Sequence, residues 1–151
     1  MNHTCILIAA YKPEDTCLHT IKELINIGFL HIIVVNDGSG QQFTPFFETI
    51  DKIPEVKVLH HGANQGKGRA LKTAFHYILN ERPDINKIIT VDADGQHRTK
   101  DICTLYQASF EHDGILLGVR NFDQDDIPFR SRFGNKLTRN LFRYTTGIGI
   151  T

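Results

Sequence analysis

Two aspartates one residue apart, Asp92 and Asp94, close the run Ile88-Ile89-Thr90-Val91-Asp92-Ala93-Asp94-Gly95-Gln96-His97. The β-branched half of that run predicts a strand, and an extended chain turns residues i and i+2 to the same side. Asp92 and Asp94 would then present two carboxylates together beside a glycine turn. A hard divalent cation prefers such oxygen ligands, and a cation held there can in turn hold a diphosphate. Aspartates after a strand also have a plainer use, capping the next helix or closing a turn. The elements around the pair favour the first use.

Those elements alternate. Cys5–Ala10 reads as a buried strand, and Glu14–Ile27 as a helix with Pro13 near its start, Leu18, Ile21, Leu24 and Ile25 on one face, and Gly28 as its stop. His31–Val35 is a second apolar strand ending in the turn Asn36-Asp37-Gly38-Ser39-Gly40. A short helix around Phe43–Asp51 leads to the strand Val56–His60. The loop Gly62-Ala63-Asn64-Gln65-Gly66-Lys67-Gly68 precedes a helix over Arg69–Asn80. The strand Lys87–Val91 carries the aspartates, and a helix near Thr99–Phe110 leads to a strand over Gly114–Val119. Strands separated by helices imply βαβ units and a parallel sheet covered on both faces. Ligands of open sheets of this kind bind beyond the carboxyl ends of the strands. The polar residues fall there: Tyr11-Lys12, Asn36-Asp37, Asn64, Asp92 with Asp94, and Arg120.

A chain of 151 residues with 40% hydrophobic content can bury one substantial core, and residues 1–151 read as one domain. Seventeen basic and 17 acidic residues cancel, so no net field draws the chain to nucleic acid. No apolar run is long enough to span a bilayer, and no hydrophobic signal core follows a basic N-terminus. Cys5, Cys17 and Cys103 are scattered and odd in number, which suits small buried hydrophobes in a reducing compartment. The expected location is cytoplasmic.

Charge is uneven near the C-terminus. The acidic loop Asp123, Asp125 and Asp126 precedes Arg130, Arg132, Lys136, Arg139 and Arg143. At helical spacing Arg132, Lys136, Arg139 and Arg143 form one stripe beside an apolar stripe of Phe129, Phe133, Leu137 and Leu141. Such a helix is either a solvated surface element or a face for phosphate groups, of an acceptor or of anionic lipid.

The series Ala10-Tyr11-x-Pro13-Glu14, Asn36-Asp37-Gly38-Ser39, Asn64-Gln65-Gly66-Lys67-Gly68, Asp92-Ala93-Asp94-Gly95-Gln96-His97 and Gly118-Val119-Arg120 resembles the family 2 glycosyltransferases of GT-A fold. The Asp-Ala-Asp-x-Gln-His form and the Arg132-x-x-Asn135 region are similar to dolichol- or polyprenol-phosphate sugar transferases. The resemblance implies a Rossmann-like α/β/α sandwich with a mostly parallel sheet, and a metal-dependent, inverting transfer from a UDP- or GDP-sugar. Asp37 would accept a hydrogen bond from the nucleobase, with Ala10, Tyr11 and Glu14 lining the same pocket and Lys67 approaching the diphosphate. Asp94 and Gln96 would ligate Mg²⁺ or Mn²⁺, with Asp92 a third ligand or a contact to the ribose and diphosphate. Arg120, at the end of the fifth strand, and Arg132 would receive the phosphate of a polyprenyl or dolichyl acceptor at the inner face of a membrane. Arg120 also has a bland role open to it, a salt bridge to the Asp123–Asp126 loop. His97 is either a contact to the donor or, the plainer use, a helix-flanking surface histidine. In the resembling family the chain continues past the Gly147-Ile148-Gly149 region to complete the acceptor side, so Thr151 is expected to end an incomplete domain.

Two other functions fit an α/β nucleotide-binding chain. Sugar-1-phosphate nucleotidyltransferases share the architecture, but their glycine-rich N-terminal loop is poorly matched by Ala9-Ala10-Tyr11-Lys12-Pro13. A non-catalytic nucleotide-binding module is the other. The basic stripe makes its own prediction. Each basic residue near an anionic membrane contributes about 1 kcal/mol, so replacing Arg132, Lys136, Arg139 and Arg143 by alanine in the full-length protein should reduce sedimentation with anionic liposomes at low salt. Equal sedimentation of variant and wild type would remove the membrane role.

Overall fold

The structure is a computed structural model that describes residues 1–112 and 114–118. The chain divides into two units, Met1–Asp113 and Gly114–Thr151. In the first unit β1 (Thr4–Ala10), β2 (His31–Asn36), β3 (Val56–His60) and β4 (Lys87–Asp92) form a sheet in the order β3-β2-β1-β4, every pair parallel. Helix α1 (Asp15–Ile27) joins β1 to β2, and α2 (Thr44–Asp51), preceded by a 3-10 turn at Gln41–Phe43, joins β2 to β3. Helix α3 (Lys67–Glu81) joins β3 to β4, and α4 (Thr99–Ala108) follows β4.

Alternation along β1 builds two cores. Ile6, Ile8 and Ala10 face a layer containing Cys17, Ile21 and Leu24 of α1, Phe47 and Ile50 of α2, and Ile102 of α4. Cys5 and Leu7 face the opposite way, with Ile33 and Val35 of β2, toward Ala70, Ala74 and Ile78 of α3. These three α3 residues recur every four positions, and the two alanines let the helix lie close on the sheet. Burial pushes the thiols of Cys5 and Cys17 up to about 12 and about 11. Neither is a thiolate near neutral pH, so both are packing residues.

Helix α1 stops where the sequence predicts. Gly28 adopts φ +107, its N–H donates to the Ile25 carbonyl at 2.8 Å, and the Phe29 N–H donates to that of Leu24 at 3.1 Å. Phe29 is thereby delivered into the core, edge-on to Tyr106 of α4 at 5.6 Å between ring centroids. The other expected elements of the first unit agree within a residue or two. Helix α3 starts at Lys67 and not Arg69, which places the lysine in its first turn. The expected strand over Gly114–Val119 is not formed in its described part, Gly114–Gly118, which is irregular. An apolar run can suggest a strand, but only a partner's hydrogen-bond ladder makes one, and periodicity does not supply the partner.

One glycine is dictated by close approach. Gly38, at φ +68, follows β2, and a Cβ there would lie 2.2 Å from the carbonyl carbon of Ala63 and 2.4 Å from the nitrogen of Asn64. Gly38→Ala therefore combines left-handed backbone strain with an overlap against main chain, which has no rotamer to escape through. It should destabilise the protein by at least about 2 kcal/mol in urea unfolding. Gly62→Ala, with open space around the added methyl, should change stability by no more than about 0.5 kcal/mol. Similar values for the two would mean that the loop after β3 does not sit against Gly38 in solution.

Candidate functional site

Parallel register aligns the strand ends in one row. Asp92 pairs with Ala9, Asn36 with Ala10, and His60 with Asn36. The chain builds outward from β1 through β2 to β3, then crosses to the other side of β1 for β4. The carboxyl ends of β1 and β4 thus flank the point where the winding reverses, the place where open α/β sheets bind ligands.

Asp37, one residue past β2, is 3% exposed. Its Oδ1 accepts hydrogen bonds from His61 Nδ1 at 2.7 Å and from the Gln65 backbone N–H at 3.0 Å, and its Oδ2 accepts from the Gly66 N–H at 2.8 Å. The His61 ring is held on its other side by Thr73 Oγ1 of α3, 2.8 Å from Nε2. Burial pushes the Asp37 carboxyl upward, but the Gln65 N–H, the His61 ring and the Gly66 N–H together outweigh it and hold the group below the usual carboxylate range. The loop after β1 joins the same structure. The Lys12 N–H donates to Ser39 Oγ at 2.9 Å, and the Ser39 N–H donates to Asn36 Oδ1 at 2.9 Å. Lys12 adopts φ +50, a left-handed conformation uncommon for a residue with a side chain.

Asp92 ends β4, and the chain turns at Ala93–Gly95. Alternation along a strand therefore does not reach Asp94, and the same-side relation expected from i, i+2 spacing does not follow from extended backbone. Asp94 Oδ1 accepts the Gln96 N–H at 3.0 Å and closes the turn, while Arg98 occupies the N-cap position of α4. The Asp92 N–H donates to His97 Nδ1 at 3.0 Å. His97 thus accepts through Nδ1 and carries its proton on Nε2 when neutral, a closing contact across the turn. The Lys67 ammonium donates to Asp92 Oδ1, with the two side chains 60% and 39% exposed.

No three His, Cys, Asp or Glu side chains converge as metal ligands among the described residues. The donor chemistry nevertheless suits Mg²⁺ or Mn²⁺: two carboxylates and the Gln96 amide oxygen fall within five residues at the end of β4, with Asp94 and Gln96 exposed. Ala10 is fully buried and its carbonyl accepts the Asp37 N–H at 2.9 Å, so its side chain belongs to the core. Tyr11 is 47% exposed beneath the Lys12 ammonium, 5.1 Å from the ring centroid, and Glu14 is exposed at the start of α1. Arg120, Arg132, the Asp123–Asp126 loop and the basic stripe lie outside the described residues.

His61 and Thr73 are absent from the sequence-based site. Their signal was present in part, since His60-His61 ends β3 in the same row as Asn36-Asp37. Thr73, inside a helix, had none.

A family model described as glycosyl transferase family 2 matches residues 5–150. The chain belongs to that family. An uncharacterized protein of Methanocaldococcus jannaschii is 34% identical to this family 2 chain over 146 residues, 94% of this chain and 57% of the relative. A UDP-N-acetylglucosamine–dolichyl-phosphate N-acetylglucosaminyltransferase of Methanococcus voltae is 27% identical over 68% of this chain and 45% of its own length. A polyprenol monophosphomannose synthase of Mycolicibacterium smegmatis is 25% identical over 80% and 47%. The chain spans about half the length of the relatives it matches. The parallel α/β architecture expected of the family is the one observed. No described helix is long and apolar enough to cross a membrane.

The Asp37 environment fixes the sign of a pH effect. A carboxyl whose folded pKa lies below its unfolded value of 3.8 stabilises the fold fully above that value and loses the contribution as pH falls through the folded pKa. Asp37→Asn turns an amide donor or a weaker acceptor toward three donors, at a cost of about 1–3 kcal/mol near neutrality. Urea unfolding from pH 7 to pH 3 should show the gap between wild type and variant narrowing at the acid end. A gap independent of pH would show that the carboxylate charge is not what holds the loop.

Proposed function

We propose that this chain carries the nucleotide-binding part of a metal-dependent, inverting glycosyltransferase that moves a sugar from a UDP- or GDP-sugar to a polyprenyl or dolichyl phosphate. The observation that carries the reading is the Lys67–Asp92 ion pair at the carboxyl end of β4, with the turn closed by Asp94 and Gln96 directly after it, beside the point where the winding of the sheet reverses. Asp92, Asp94 and Gln96 would hold the divalent cation, which when bound supplies Lewis-acid neutralisation of the departing diphosphate. Lys67 meets that centre through an exposed ion pair with Asp92. An exposed ion pair contributes only about 0–1 kcal/mol, so its ammonium can leave Asp92 for the phosphate oxygens of a donor.

An acceptor phosphate is already anionic near neutral pH. Its oxygen forms the new bond to the anomeric carbon as the bond to the nucleoside diphosphate breaks on the opposite face, and no proton needs removing first. Arg120 and Arg132, read from sequence, offer guanidinium groups of the kind that binds such a phosphate. Support for this acceptor class comes from relatives named for dolichyl-phosphate and polyprenol products, and from an undecaprenyl-phosphate 4-deoxy-4-formamido-L-arabinose transferase of Edwardsiella ictaluri, 25% identical over 97% of this chain.

Asp94→Ala should weaken UDP or GDP binding at least tenfold in Mn²⁺, read by calorimetry, and leave the residual affinity in EDTA unchanged. Equal affinity in Mn²⁺ would overturn the metal assignment. Release of nucleoside diphosphate on turnover of the full-length enzyme supports sugar transfer, whereas pyrophosphate would mark a nucleotidyltransferase.

A further inference from the structure

We propose that His61 is the positioning residue of the nucleotide site, acting through Asp37 to set the loop from which Lys67 reaches Asp92. The inference rests on the preceding reading of that site and adds a residue to it. The His61 side chain is nearly enclosed, yet both ring nitrogens are engaged. A carboxylate only accepts, so Nδ1 carries the proton donated to Asp37. Nε2 of the neutral ring accepts from the Thr73 hydroxyl, and the same hydroxyl can accept if the ring becomes charged. Thr73 thus fixes the ring plane in either state.

The connection then runs outward. Asp37 passes the constraint to the Gln65 and Gly66 N–H groups, the last two before α3, and Lys67 is the first residue of that helix. His61 does not touch Lys67 or Asp92 in this connection. It aims a buried carboxylate, and the carboxylate anchors the backbone beneath the lysine. Gly38, allowing Ala63 to sit directly on the turn after β2, gives the loop no slack. A brace that served stability alone could end anywhere in the core, whereas this one ends on the two backbone N–H groups that directly precede Lys67, the residue that pairs with Asp92.

Asparagine and glutamine separate the two halves of the ring, because the asparagine amide falls near Nδ1 and the glutamine amide near Nε2. His61→Asn keeps the donation to Asp37, His61→Gln keeps the contact with Thr73, and His61→Ala loses both. Affinity for UDP and for GDP in Mn²⁺ should be near wild type in His61→Asn and roughly tenfold or more weaker in the other two. In a Lys67→Met background, His61→Ala should add little further loss. Exchange of the Gln65 and Gly66 amides without nucleotide should follow the same ranking, slow in wild type and His61→Asn and faster in His61→Gln and His61→Ala. If His61→Ala does not fold, His61→Gln, which keeps the contact with Thr73 and loses the donation to Asp37, should still show the faster exchange. Unchanged amide exchange in His61→Ala or His61→Gln, or a His61→Ala loss that persists in full beside Lys67→Met, would overturn the proposal. If wild type binds neither nucleotide, the reading of the site as a nucleotide site falls, while the amide ranking still decides the role of His61.

Discussion

A parallel sheet must return the chain to the same end of the sheet before each new strand, so every strand ends on the same side. The rest of this structure depends on that constraint. It brings Tyr11, Asp37, His61 and the Asp92 turn to one rim although they are spread over some 80 positions of sequence. It also sends the crossover helices to the two faces, giving β1 and β2 separate cores against α1, α2 and α4 on one side and α3 on the other. The placement of β4 beyond β1 then opens the rim between two strands whose following loops diverge.

Within that rim, a buried charge is tolerated because its hydrogen-bonding capacity is met locally. An ionised carboxylate without partners is costly in an interior, whereas Asp37 has three donors from one loop. The arrangement reciprocates. The loop lacks apolar side chains with which to anchor itself, since Gly62 to Gly66 are exposed, so polar bonds to Asp37 and contact with Gly38 do the work of a core. The tie from Lys12 to Ser39 extends this frame to the loop after β1.

The site consequently has a fixed half and an exchangeable half. Around Asp37 the partners are short, buried and multiple. Around Asp92 and Asp94 they are exposed, and the Lys67 ion pair is of the kind that water and ions loosen readily. A cation and a diphosphate need the second kind of surface, because carboxylates committed to buried partners would have to break those bonds before binding anything. The first kind is what keeps the second in register. Family 2 membership is consistent with this division, since sugar transfer demands a placed diphosphate whose charge changes during the reaction.

Sequence by itself determined the order and type of the elements, because hydrophobic periodicity and the positions of Gly28, Gly38 and Pro13 are local properties that each segment carries. It also marked the strand ends as the chemical rim, since polar residues after apolar strands have nowhere else to go. It did not determine where the turn after β4 begins, so Asp94 was assigned to an extended face that the chain leaves at Asp92. Nor did it contain the ion pair of Lys67 with Asp92 or the bond of His61 with Asp37, which join residues 25 and 24 positions apart. Strand register and helix start decide such contacts to within a single residue, and both emerge only when the whole sheet and its crossovers pack together. The strand expected over Gly114–Val119 is absent from its described part, Gly114–Gly118, and the reason is the same: a strand is a relation between two segments, and one segment's pattern cannot establish it.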